Sequence, residues 1–121
     1  MKSTLRDRVI GALSLQEKEL RGYIKIHERD DKAAAPITRK ALEEVVELRD
    51  RYAAEGSAPL DPSAAQDVYE LAERVKTIGE KSGNATAARD LKFVSGALHY
   101  IVMSTTPEID IADGKRRFRE K

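Results

Sequence analysis

The sequence contains no cysteine, which excludes disulfides, thiolate metal centres and a cysteine nucleophile. Tryptophan is absent as well, and four tyrosines and two phenylalanines are the only aromatic side chains. No apolar run approaches the roughly 18 residues that a membrane-spanning helix needs. An excess of one charge is also missing: 22 Lys and Arg stand against 21 Asp and Glu, for a formal charge of +1. No strong field is therefore expected to draw the whole chain onto nucleic acid or an anionic membrane. The first eight residues, Met1 to Arg8, lack the apolar stretch of a secretory signal, and a cytoplasmic protein is expected.

What is present is a helical pattern. The 121 residues are 40% hydrophobic and 36% charged, the balance of one globular domain. Apolar residues recur at three- and four-residue steps in four segments, and strand-like alternation is nowhere sustained. In the first segment, about Leu5 to His27, the seam is Leu5, Val9, Leu13, Gln16, Leu20, Ile24 and His27. Gly11 weakens this helix, and Ser14 to Glu17 fits a capping box at which it can restart; one helix with a kink is the favoured reading. Asp30 to Pro36 reads as a connector, with Pro36 opening the second helix. That helix runs to about Ala54 on a seam of Ile37, Ala41, Val45, Leu48 and Tyr52, and Gly56 marks its stop.

Residues 55–62 form the clearest loop, after which Asp61 offers a cap and Pro62 a first helical residue. The third seam is Ala64, Val68, Leu71, Val75 and Ile78, with Gly79 and Gly83 expected to end the helix. Asn84 caps the fourth helix, placed from Ala85 to about Ser104. Its seam is Ala87, Leu91, Val94, Leu98 and Ile101, and Phe93, Ala97 and Tyr100 add a neighbouring stripe. Pro107 is expected to break the pattern, leaving one short turn before Gly114. Short connections favour antiparallel neighbours, so the expected fold is an all-α, up-down four-helix bundle over residues 1–113, followed by a basic tail at 114–121. The narrow seams of the third and fourth helices also suit contacts between two subunits.

Few side chains suggest chemistry. Neither His27 nor His99 has a glutamate three residues before it, so the di-iron signature of helical bundles is missing. His27, Asp30 and Asp31 lie within one helical turn but read as solvated groups at a helix end. Glu108, Asp110 and Asp113 fail the spacing of a calcium loop. No metal or other cofactor is therefore expected. Glu43, Glu44 and Glu47 have Lys40 and Arg51 at ion-pair spacing, and Ser95 with His99 lacks an orienting acid.

Arg21-Gly22-Tyr23-Ile24-Lys25-Ile26-His27 resembles the Arg-x(4–6)-His signature of HEPN-type nucleases. The resemblance covers seven residues and implies that Arg21 and His27 act on RNA, usually across a dimer. Gly22 stands where that family usually has a polar residue. Gly96 to Met103, followed by Pro107 and Asp110, is similar to the Ala-Leu-x-Tyr segment of the YkvA-like helical family. That likeness carries no functional residue with it, and a basic tail replaces the acids expected downstream.

In the tail, Lys115, Arg116, Arg117 and Arg119 gather around Phe118, a composition that can hold phosphates and stack on a base. The leading expectation is nonetheless a non-enzymatic interaction module. It would present a helix face to a protein partner or to a second copy of itself, with Tyr23 and Tyr52 as candidate surface anchors. The alternatives are nucleic-acid contact through the tail and, behind it, a HEPN-type ribonuclease.

Overall fold

A computed structural model describes residues 5–56, 60 and 63–113, with side chains up to 104. The chain folds as four helices: α1 (Leu5–Asp30), α2 (Ala34–Ala54), α3 (Ala64–Lys81) and α4 (Ala85–Asp113). Strands are absent among the described residues. Three-residue turns join α1 to α2 and α3 to α4, so each pair packs as an antiparallel hairpin. The two hairpins meet along α1–α4 and α2–α3, and α2 approaches α4 across the middle while the α1 and α3 backbones stay apart.

The seams explain this assembly. Leu13, Leu20, Val45, Leu71, Val75, Leu91 and Leu98 are all fully buried, and together they make one continuous core. Removing such side chains from water is the main force closing a bundle of this size. Among the described residues, no helix is long and apolar enough to cross a membrane.

Four local details refine the periodicity. First, α1 is unbroken through Gly11 and Ser14, as the favoured single-helix reading expects. Ser14 and Glu17 do not restart the helix; both bond Arg49 of α2. Second, α2 begins two residues ahead of Pro36. Proline costs little there, because the first four helical N–H groups have no intrahelical acceptor. Ala34 and Ala35 are buried, which ties this first turn to the core.

Third, α3 continues through Gly79. A Cβ on Gly79 would sit 3.1 Å from Ala88 Cα and 3.2 Å from Leu91 Cβ. The glycine therefore permits a close helix crossing, and the stop is Gly83, whose φ of 71° suits a residue without a side chain. Asp61 and Pro62 lie outside the described residues, and α3 starts at Ala64 after Ser63. Fourth, α4 does not end near Ser104. It runs through Pro107 to Asp113, in place of a separate short turn. A proline removes one backbone donor and can kink a helix without ending it. The Asn84 cap is as expected: its Oδ1 accepts the Ala87 N–H at 2.9 Å.

Candidate interaction surface

The core-facing seam of α4 is Leu91, Val94, Leu98 and Ile101, all buried. A second seam, Phe93, Gly96, Tyr100 and Met103, has the same 3-4-3 spacing displaced by two residues. Two residues rotate an α-helix by about 200°, so this seam lies on the opposite side of α4. It faces water: Phe93 is 67%, Tyr100 70% and Met103 72% exposed. A Cβ on Gly96 would meet nothing within 4 Å. The outer face of a bundle helix is ordinarily polar. Here it carries two aromatic rings and a thioether around a glycine.

The surface continues towards α1. Leu15 of α1 is 54% exposed, and with Tyr23 it lines a shallow groove of about 170 Å³ beside Phe93 and Ala97 of α4. Arg89 and Lys92 are exposed on the same face, at its N-terminal end. On the α3 side, Tyr69 sets its ring edge against His99, and His99 Nε2 lies 2.9 Å from Glu73 Oε2.

The candidate residues named from sequence are distributed differently. Tyr52 is a correction: it is buried, because its ring completes the α2 seam, and it is no surface anchor. Its hydroxyl donates to Asp67 Oδ2 at 3.1 Å, and burial first, then the Asp67 charge, pushes that hydroxyl well above the usual tyrosine range. Tyr23 is half-buried and stacks on the His27 ring, with centroids 6.2 Å apart. It also lines the groove beside α4.

His27 is buried inside the bundle. Its Nε2 lies 2.7 Å from Asp90 Oδ2, and its Nδ1 lies 3.0 Å from Thr38 Oγ1. Arg21 points outward and donates to Glu17 at 2.7 and 2.9 Å. Six residues on one helix place them on different faces, one wet and one dry. Within one chain, the exposed and adjacent Arg–His pair that a HEPN-type site requires is not formed. His27 does not join Asp30 or Asp31 either; Asp30 pairs with Arg29, and Asp31 reaches Asn84. No group of three metal-ligating side chains occurs among the described residues.

Ser95 and His99 are not brought together. Ser95 Oγ is buried and lacks a hydrogen-bond partner, while His99 turns to Glu73. Glu44 and Glu47 line a small polar cleft between α2 and α3, where Glu44 accepts from Arg74 at 2.8 Å and Arg51 donates to Asp67 at 2.8 Å. Two of the four acids lining it, Glu44 and Asp67, are answered by arginines from the facing helix. The tail residues Lys115, Arg116, Arg117, Phe118 and Arg119 lie outside the described residues.

Two features were missed from sequence. Arg6, which lies off the apolar seam of α1, is buried, and its Nη1 donates to the Tyr52 carbonyl at 3.1 Å and to Glu55. It caps the negative end of α2. Asp90 was not singled out at all, since nothing local marks an acid that meets a histidine 63 positions away. Compared with models of known protein families, with curated proteins and with solved structures, the chain matches none.

Proposed function

We propose that this protein is a non-enzymatic interaction module whose binding surface is the outer face of α4. The observation that carries the reading is the water-facing seam Phe93, Gly96, Tyr100 and Met103. Contiguous exposed apolar patches of this kind mark contact sites on folded proteins. Aromatic residues and methionine are the types enriched at such contacts. The seam spacing suits another helix, because knobs every three and four residues fit the holes of a facing helix. His27 is buried, with both ring nitrogens held by Asp90 and Thr38.

A photo-cross-linking amino acid tests this directly. Placed at Tyr100 in cells that make the protein, it should form covalent protein adducts. At Glu43, exposed on α2, the same group should form few. Equal or absent adducts at both positions would reject the reading.

A further inference from the structure

The outer seam of α4 is self-complementary when two copies run in opposite directions. The two large outer positions are Phe93 and Tyr100, the flexible one is Met103, and the gap is Gly96. One two-fold axis perpendicular to α4 pairs position 93 with 103 and position 96 with 100 simultaneously. Tyr100 of each copy then covers Gly96 of the other, where a Cβ would have met nothing. Phe93 meets Met103, a sulfur–aromatic contact that is favourable in its own right. A parallel arrangement does the opposite. It sets Tyr100 on Tyr100 and Gly96 on Gly96, so the two largest outer groups share one level and the two gaps share another.

Charge selects the same direction. Arg89 and Lys92 flank the N-terminal end of the seam, both exposed. Arg89 is paired with Asp90, so Lys92 carries the argument: parallel helices would put it beside its own copy, where like charges repel. In the antiparallel register Lys92 lies opposite position 104, about 18 Å along the helix from the other Lys92. That is beyond the screening length at physiological salt.

Area agrees as well. An aromatic side chain buries about 150–250 Å² when fully covered. At the exposures of Phe93, Tyr100 and Met103, the seam offers roughly 400–500 Å² of side-chain surface per copy. A stable interface needs about 800 Å² per partner, of which some 56–65% is apolar. The seam therefore supplies the apolar centre, and Arg89, Lys92, Ser104 and Leu15 supply the rim.

We propose that the partner of α4 is a second copy of this chain, docked α4 against α4 in antiparallel register about a two-fold axis. The inference rests on the outer face of α4 being a binding surface, and it names what binds there.

Sedimentation equilibrium of the full chain across a dilution series is the test. The wild-type mass should approach twice 13.5 kDa, and Tyr100→Glu should return it to one chain, with helicity by circular dichroism unchanged. The chain has no cysteine, so F93C and M103C chains can be mixed under mild oxidation. The mixed disulfide should then exceed either homodimer severalfold. A wild-type mass of one chain at every concentration overturns the proposal, as does a dimer that Tyr100→Glu leaves intact. Dominant F93C homodimers overturn the antiparallel register. If the chain is monomeric yet the cross-linker at position 100 captures another protein, self-association falls while the interaction reading stands.

Discussion

His27 of α1 and Asp90 of α4 meet inside the bundle, with Nε2 and Oδ2 2.7 Å apart. Thr38 of α2 holds the other ring nitrogen, so one imidazole ties three helices together. Asp90 also accepts from Arg89 at 3.0 Å. A polar group this deep is tolerated only because every side of it is answered.

Removing either member leaves the other buried beside a gap. His27→Ala and Asp90→Ala should each lower the unfolding free energy by about 2–3 kcal/mol. The double variant should lose clearly less than the sum, because the interaction can be lost only once. Urea denaturation of the four chains measures this, and strict additivity would show that the pair is not coupled.

The two seams of α4 should respond differently to truncation. Leu98 is fully buried, so Leu98→Ala should cost about 3 kcal/mol through lost transfer energy and an unfilled cavity. Phe93→Ala removes a larger ring, yet in the isolated subunit it should change stability by under about 0.5 kcal/mol. Thermal unfolding at low protein concentration separates the two; comparable losses would mean that Phe93 is covered within the monomer.

Glycines that look alike along the chain should likewise separate. At Gly22 an added Cβ meets open space, so Gly22→Ala should stabilise by up to about 1 kcal/mol from helix propensity alone. At Gly79 the added methyl presses on the Ala88 backbone and on Leu91. Gly79→Ala should therefore destabilise by about 1 kcal/mol despite the same propensity gain. A Gly79→Ala variant more stable than wild type would sink the close-crossing account.

Tyr52 predicts the alkaline behaviour. Burial, and then Asp67, raise its hydroxyl above the ordinary value near 10. The folded state therefore holds this proton more tightly than the unfolded chain. The stability it contributes is complete below the unfolded value and declines as pH rises above it. Tyr52→Phe should be weaker than wild type at pH 7 by about 1 kcal/mol, the net worth of the lost hydrogen bond. The gap should narrow above about pH 10. Urea midpoints of both chains from neutral to alkaline pH test it; a gap that widens with pH would reverse the assignment.

Much of the helical framework was determined by sequence alone. The three- and four-residue recurrence of Val9, Leu13, Leu20, Val45, Leu71, Leu91 and Leu98 picked out their buried positions, because amphipathic periodicity is a local property of the chain. The Asn84 cap and the Gly56 stop were legible for the same reason. The inward seam of α4, Leu91, Val94, Leu98 and Ile101, was also legible, but only the tertiary structure decided that the stripe bearing Phe93 and Tyr100 is left in water. That outcome depends on where α1, α2 and α3 pack around α4. Tertiary structure also decided that Gly79 is a crossing point and not a stop, that Tyr52 is interior, and that Arg6 and Asp90 find their partners inside the bundle. Each of those outcomes depends on residues distant in sequence, and no local pattern encodes which distant side chain will fill a given space.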